Sequence, residues 1–239
     1  LFAAGCSSFI VSSQAAPPAW NGDARQALRE FLAETALGLR YVLERVGLRN
    51  LVVMAAMLNF LLAPVIVLLP FFVRNQLASQ ASWYGYLLAA MSAGSIGGFL
   101  AAGGLSLRGP GRYWLLVGAL IASQALFGIL GSIRVPLLAL VVMFLAGLCI
   151  GMVNIYAITI LQATTPGELR GRVLGLLVTL SGGLGPIGYA LAGWIGDVTN
   201  RNVPLIFGVV GAISIPVTLL LTLGKECREY LSQDCPADV

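Results

Sequence analysis

The stretch Pro136–Thr164, PLLALVVMFLAGLCIGMVNIYAITILQAT, contains no charged residue. It is longer than the roughly 20 residues that a helix needs to cross a hydrocarbon core about 30 Å thick. Five further stretches meet the same requirement, because only nine charged residues lie between Arg49 and Lys225. The sequence therefore predicts an all-α integral membrane protein with six transmembrane helices. These helices are Leu51–Val73, Tyr84–Leu107, Tyr113–Ile133, Pro136–Thr164, Val173–Ile195 and Val203–Leu223.

The composition excludes an ordinary soluble domain. Hydrophobic residues make up 58% of the chain and charged residues 10%, whereas a soluble chain is about 25% charged. The 29 glycines fit close packing of helices in lipid, where small residues let backbones approach. Three glycine pairs have the spacing of such contacts: Gly94 with Gly98, Gly147 with Gly151, and Gly171 with Gly175.

The distribution of positive charge predicts the orientation. Of the 14 Lys and Arg residues, only Arg74, Arg134 and Arg201 fall on one side of the predicted membrane. The positive-inside rule places the other side, with the C-terminal tail, in the cytoplasm. The basic residues form no single patch, so the net charge of +4 does not indicate a nucleic-acid partner.

The segments outside the six helices have distinct compositions. Residues 1–11 are apolar but too short to span, and we interpret them as the end of a preceding transmembrane helix. Residues 12–50 are predicted to form a cytoplasmic linker, in which Asp23 and Gln26 open a basic amphipathic helix at the membrane interface. Residues 51–224 are predicted to form the six-helix bundle, and residues 225–239 a cytoplasmic tail.

The sequence offers no catalytic or metal-binding constellation. It contains no histidine and no Cys-x-x-Cys pair, so neither a zinc site nor another cofactor is predicted. The cysteines lie in apolar helices or in a tail predicted to be cytoplasmic, which argues against a disulfide framework. An intramembrane enzyme would need a nucleophile, base or metal ligands at depth, so an enzyme is not predicted.

The loop TPGELRGRV, Thr165–Val173, concentrates charge between the fourth and fifth helices. Pro166 and Gly167 end the incoming helix. Glu168, Arg170 and Arg172 are candidates for a cytoplasmic latch that holds helices in one orientation and releases them in another. The alternative is that both arginines only anchor the topology.

The fifth helix contains Gly185, Pro186 and Gly188 within a glycine-rich run. Proline removes a backbone donor and glycine permits close approach, so this run predicts a kink. Many transmembrane helices have such a kink without a gating role.

Four motifs together with Arg170-Gly171-Arg172 resemble the carboxyl-terminal half of a major facilitator superfamily transporter. The resemblance is strongest to the branch of drug and siderophore exporters that includes enterobactin and macrolide exporters. The motifs are SGGLGPIGYALAGWIGD at Ser181–Asp197, GLRYVL at Gly38–Leu43, LPFFV at Leu69–Val73 and GYLLAA at Gly85–Ala90.

The resemblance implies a fold of twelve helices in two halves, of which this chain would supply the second. The expected partners are the lipid bilayer, a small-molecule substrate and the missing amino-terminal six-helix half. The implied function is proton-driven export of a small amphipathic compound, drug-like or siderophore-like, by alternating access across the bacterial inner membrane. No Asp, Glu, Lys, Arg or His lies within the six predicted helices, so the proton acceptor is expected in the other half. A half-transporter scaffold or a channel-like subunit without coupled transport remains the alternative.

The resemblance also directs attention to particular residues. The superfamily lines its pathway with the equivalents of the first and fourth helices here, which makes Asn59, Asn154, Tyr156 and Gln162 candidates for the substrate cavity. The alternative for these polar groups is hydrogen bonding between helices. Residues 103–112 resemble the superfamily's Gly-x-Leu-x-Asp-Arg-x-Gly-Arg loop, whose basic positions Arg108 and Arg112 are gating candidates. Leu107 replaces its aspartate, so a latch that depends on that carboxylate is not expected.

Overall fold

The computed structural model describes Arg29, Ala36, residues 39–104 and residues 110–224, without the side chains of Leu58, Leu61, Pro110 and Glu168. The predicted helix end at residues 1–11, most of the linker, Arg108 and the tail at 225–239 lie outside the described residues.

Every regular element in the described part of the chain is helical, which confirms the predicted fold class. Six helical spans are long and apolar enough to cross a membrane. The elements are α1 (Val46–Phe71), a π-helix (Phe72–Gln76), α2 (Ser82–Gly104), α3 (Pro110–Leu130), α4 (Pro136–Thr164), α5 (Gly167–Gly183), α6 (Gly185–Val198) and α7 (Val203–Thr222). The first span is α1 continued by the π-helix, and the fifth consists of α5 and α6.

The first span differs from its predicted bounds at both ends. It begins at Val46, inside the predicted linker, after Arg45 adopts an extended conformation that separates it from a helical stretch over residues 39–44. Leu48 is fully buried, so its packing favours a helix that extends past Arg49, the charged residue next to the predicted span. At the other end Pro70 disturbs the helical hydrogen bonds, and Leu77 N–H donates to the carbonyl of Phe72 at 3.0 Å across a π-turn.

The fifth span is broken at Leu184, which lies between α5 and α6. Pro186 occupies the first turn of α6, where its missing N–H and fixed φ are tolerated. Gly188 N–H donates to the carbonyl of Leu184 at 2.9 Å. A Cβ on Gly188 would lie only 2.8 Å from the Cβ of Ala63 on α1, so glycine here lets α6 approach α1.

Helices α2 and α4 pack through small residues. A Cβ on Gly147 would lie 2.8 Å from the carbonyl carbon of Met91, and Ser95 Oγ donates to the carbonyl of Gly147 at 3.2 Å. Gly94, Gly98 and Gly151 face the opposite backbone in the same way. The predicted small-residue contacts are therefore confirmed on these two helices. Gly171 and Gly175 differ, because a Cβ on either would meet no atom within 4 Å.

Two apolar clusters stabilise the bundle, one toward each end. The cluster near the predicted cytoplasmic end joins α1, α3, α4 and α5 through residues such as Leu48, Tyr113 and Val173. The other cluster joins α1, α2, α3, α4 and α7 through residues such as Phe72, Met143 and Phe207. Between these clusters the helices leave an open space, which is the candidate site.

Candidate substrate cavity and cytoplasmic loop

A cavity of about 450 Å³ opens between α1, α3, α4, α5 and α7. Its wall is largely aliphatic, with Met54, Leu62 and Val65 from α1 and Ile150 and Val153 from α4. None of its lining residues carries a titratable side chain. The cavity therefore provides an apolar, uncharged environment with a small number of hydrogen-bonding groups, which is the usual chemistry of a small-molecule site.

The structure places two of the four predicted cavity residues on this wall. Asn59 contributes from α1 and Asn154 from α4, and both side chains are exposed. Asn59 Nδ2 donates to the carbonyl of Ala55 at 2.9 Å within its own helix. This bond leaves the amide oxygen of Asn59 available to a molecule in the cavity.

Tyr156 and Gln162 do not line the cavity. Tyr156 is buried in the apolar cluster near the cytoplasmic end. It lies two residues after Asn154, and a helix turns about 100° per residue, so the two side chains leave α4 in different directions. Gln162 is exposed and lies about 12 Å further along the helix axis than Asn154, from a rise of about 1.5 Å per residue.

Arg112, one of the predicted gating residues, is buried beside Tyr156. Its guanidinium carbon lies 5.5 Å from the centroid of the Tyr156 ring, within the range of a cation–π contact. The arginine therefore connects the start of α3 to the face of α4 that points away from the cavity. Such a contact ties the two helices together at the predicted cytoplasmic end.

The charged loop between the fourth and fifth spans forms the start of α5. The carbonyl of Pro166 accepts hydrogen bonds from the N–H groups of Leu169 and Arg170, at 3.0 and 3.1 Å. The side chain of Arg170 is exposed and that of Arg172 is half-buried. Glu168 lies in the first turn of α5, where a negative charge is favourable, but its side chain is not among those described.

The segment that precedes α1 reaches this loop. Tyr41 Oη donates to the carbonyl of Thr164, the last residue of α4, at 3.4 Å. The guanidinium of Arg45 lies 4.5 Å from the Tyr41 ring centroid. On the same segment Arg40 Nε contacts Glu44 Oε1 at 2.7 Å, and this hydrogen bond raises the pKa of Arg40 above its ordinary value. The residues just before α1 thus contact the end of α4.

Polar residues that the sequence analysis did not select also line the cavity: Ser123 and Gln124 from α3, Ser181 from α5 and Ser214 from α7. The available signal was a polar residue inside an apolar span. The family resemblance points to the first and fourth spans, whereas Ser123 and Gln124 lie on α3 and Ser214 lies on α7. Their contribution becomes visible only when the packing shows which face of each helix is turned inward.

The six spans and the apolar cavity between them define a polytopic membrane protein. Comparison with known proteins agrees: the profile of a major facilitator superfamily family described as "Transmembrane secretion effector" matches residues 2–235. The chain belongs to this family, which confirms the resemblance found in its motifs.

Several characterised exporters are similar to this chain. The multidrug efflux pump Tap of Mycolicibacterium fortuitum is 27% identical over 216 residues, which cover 90% of this chain and 51% of that protein. The enterobactin exporter EntS of Shigella flexneri is 30% identical over 206 residues, 86% of this chain and 48% of that protein. Tap of Mycobacterium bovis is 28% identical over 200 residues, 80% and 47% respectively. The chain thus spans about half the length of the curated relatives it matches. No solved structure matches it.

Proposed function

We propose that this chain is one six-helix half of a transporter that exports a small amphipathic compound by alternating access. A second six-helix bundle would complete the pathway, as the greater length of the relatives supports. Helix α2 and the span formed by α5 and α6 bury the smallest share of their residues among the six spans. We propose that the exposed faces of these spans meet the second bundle, while the remaining exposed apolar side chains contact lipid.

The observation that carries this proposal is the chemistry of the cavity. A volume of about 450 Å³ suits a compound of several fused rings, and aliphatic walls favour its apolar part. Asn59 and Asn154 supply hydrogen-bonding groups on two helices that flank the cavity. A wall without charged residues would not compensate the desolvation of a small anion. A drug-like or siderophore-like compound fits this environment better.

We further propose that export is driven by protons and that the proton acceptor lies in the other half. The lining of the cavity holds no Asp, Glu, His or Lys, so this bundle offers no titratable group in contact with the substrate. A carboxylate at membrane depth is the usual proton carrier in such transporters. In this arrangement the present bundle binds substrate and the other bundle couples binding to the gradient.

The charged loop at the start of α5 is proposed to act as the cytoplasmic latch. Arg170 and Arg172 would pair with groups of the second bundle in the outward-open state and release them in the inward-open state. Glu168 would support the same contact from the first turn of α5. Helix α5 also carries Ser181 and Gly182 of the cavity wall, so a movement of this loop would be transmitted to the site. The break at Leu184 is proposed to let α5 move relative to α6.

The basic-residue asymmetry supports an orientation with residues 12–50 and the C-terminal tail in the cytoplasm. The bacterial relatives support a location in the inner membrane. With this orientation, the cavity would load from the cytoplasmic side and discharge on the opposite side.

Transport into everted membrane vesicles tests the proposal. A fluorescent amphipathic cation should accumulate in vesicles that contain the intact protein, and collapse of the proton gradient should abolish accumulation. Asn59→Leu and Asn154→Leu should change the relative rates for different compounds while membrane abundance stays near wild type. Gln162→Leu is the matched control, because this residue lies on α4 but outside the cavity, and it should leave the relative rates unchanged.

Three results would count against the proposal. Equal accumulation with and without the protein would reject export of such compounds and favour a scaffold. Accumulation that does not depend on the gradient would favour a channel-like subunit. Loss of abundance in both asparagine variants with unchanged specific activity would show that these residues only stabilise the bundle.

A further inference from the structure

The amide of Gln124 is the most unusual polar group in the cavity wall. The residue lies in the middle of α3, only 6% of its surface is exposed, and it lines the cavity. Its Nε2 donates to Thr218 Oγ1 on α7 at 2.7 Å. Its carbonyl oxygen Oε1 is buried and accepts no hydrogen bond from any described residue. A buried carbonyl without a partner is costly, and within a membrane no bulk water is present to compensate.

The packing of α3 against α7 holds this amide in place. A Cβ on Gly211 of α7 would lie 3.0 Å from the Cα of Gly128 and 3.2 Å from the backbone carbonyl oxygen of Gln124. The two backbones are therefore close enough for Gln124 to reach Thr218. Thr218 does not line the cavity, so it anchors the amide from the side away from the site. A fixed amide loses little freedom when a ligand binds, which favours recognition.

The other polar residues of the wall show what is specific about Gln124. The Oγ of Ser123 donates to the carbonyl of Leu120 at 2.7 Å, and the Oγ of Ser214 donates to the carbonyl of Gly211 at 3.1 Å. The protons of these two hydroxyl groups are therefore used within their own helices. Ser181 Oγ on α5, by contrast, is buried and has no partner among the described residues. Two polar groups of one cavity, on α3 and α5, are thus left without the partners that buried polar groups normally have.

We infer that Gln124 forms a subsite that accepts a hydrogen bond from an N–H or O–H donor of the transported compound, and that Ser181 on α5 offers a second acceptor in the same cavity. This inference rests on the proposed function and adds the chemistry by which the substrate is selected. A ligand donor satisfies the carbonyl oxygen that Thr218 leaves free. Because the oxygen is buried, side chains of the wall must change rotamer to admit the donor, and exclusion of water then strengthens the bond. The subsite recognises a hydrogen-bond donor and not a charge, since no charged residue lines the cavity.

Two rhodamine ester cations provide matched ligands for a test. One carries two secondary amino N–H groups, and its tetraethylated analogue has the same ring system and charge but no N–H. Their dissociation constants are measured by fluorescence anisotropy with the purified intact protein in lipid nanodiscs. Gln124→Met should weaken binding of the N–H compound about tenfold, the effect of one lost hydrogen bond in a dry site. It should change binding of the tetraethylated compound less than twofold.

Three further variants separate recognition from structural support. Thr218→Val removes the anchor but keeps the amide. The compound that binds the wild-type protein with the lower dissociation constant should therefore still bind this variant more tightly. Gln162→Leu changes a polar side chain of α4 outside the cavity, and it should leave the ratio of the two dissociation constants unchanged. Ser181→Ala should weaken binding of the N–H compound selectively. It also keeps the test available if Gln124→Met does not fold.

The outcomes distinguish the subsite from the proposed transport. Equal weakening of both compounds by Gln124→Met would show a structural role and overturn the subsite. A selective loss of binding of the N–H compound in Thr218→Val as large as that in Gln124→Met would do the same. Failure of both compounds to bind the wild-type protein would overturn it as well. Selective binding of the N–H compound without its accumulation in everted vesicles would support the subsite and reject export.

Discussion

Replacing Gly98 with alanine tests the close packing of α2 against α4. A Cβ at this position would lie 2.9 Å from the amide nitrogen of Met152 and 3.1 Å from the Cα of Gly151, and closer still to the carbonyl oxygen of Leu148. These neighbours are backbone atoms, which cannot turn aside as a flexible side chain can. The adjacent Gly97 is a matched control, because a Cβ there would meet no atom within 4 Å.

The cost of the substitution follows from this geometry. Carbon atoms pack best at about 3.5–4.0 Å, so the two backbones must separate by roughly 0.5–1 Å to accept the methyl group. Such overpacking typically costs about 1–3 kcal/mol. The same separation lengthens the bond from Ser95 Oγ to the carbonyl of Gly147, now 3.2 Å, and a lost hydrogen bond adds about 0.5–1.5 kcal/mol. Gly98→Ala should therefore lower the free energy of unfolding by about 2–4 kcal/mol.

The thermal midpoint of the detergent-solubilised protein measures this loss. A change of 1 kcal/mol shifts the midpoint by about 2–4 °C for a domain of this size, so Gly98→Ala should unfold roughly 5–15 °C below wild type. Gly97→Ala should unfold at or above the wild-type temperature, because alanine favours a helix by up to about 1 kcal/mol over glycine. Midpoints that are equal in the two variants would refute the packing of α2 on α4 described above.

Three further predictions address orientation, gating and the kinked span. A membrane-impermeant thiol reagent added outside should label Ser82→Cys but not Gly167→Cys; the reverse pattern would overturn the proposed orientation. Arg170→Ala should raise cytoplasmic access to the cavity about fivefold, as expected for a rim contact worth about 1 kcal/mol, and slow export without lowering the thermal midpoint. Unchanged access to the cavity from both sides of the membrane would show that Arg170 only anchors the topology. Gly188→Ala should lower the thermal midpoint, because its Cβ would lie 2.8 Å from that of Ala63, whereas Gly193→Ala, with no neighbour within 4 Å, should not; equal midpoints would argue against close contact of α6 with α1.

The number and type of elements could be predicted because the bilayer imposes a simple rule. An apolar stretch of about 20 residues bounded by charge must span as a helix, since its backbone groups have no other partners in lipid. Pro186 with Gly185 likewise predicted a disturbance of the fifth helix, and the structure shows a break at Leu184. The bounds were less predictable, because charge marks where a helix leaves the membrane and not where it ends. Helix α1 begins at Val46, five residues before the predicted span, and Leu48 is already buried.

The orientation of each helix about its own axis was not predictable in the same way. In a soluble protein, the apolar stripe of a helix shows which side is buried, but in lipid both sides are apolar. Tyr156 and Asn154 were therefore selected together, although helical geometry sends them in different directions. Asn154 lines the cavity, while Tyr156 contacts Arg112.

Gln124 shows what information would have been needed to find the site from sequence. A glutamine in the middle of an apolar helix must find a hydrogen-bonding partner, and a single partner such as Thr218 uses only one end of its amide. The position of the other end depends on whether α3 and α7 approach closely, which in turn depends on Gly128 and Gly211. Those glycines lie far apart in the sequence and carry no polar signal of their own. The same argument applies to Ser181, whose place in the cavity wall depends on the packing of α5 against α1. The chemistry of this site is therefore set by helix pairing, and polar residues within apolar helices are informative about function only when the helices that they face are known.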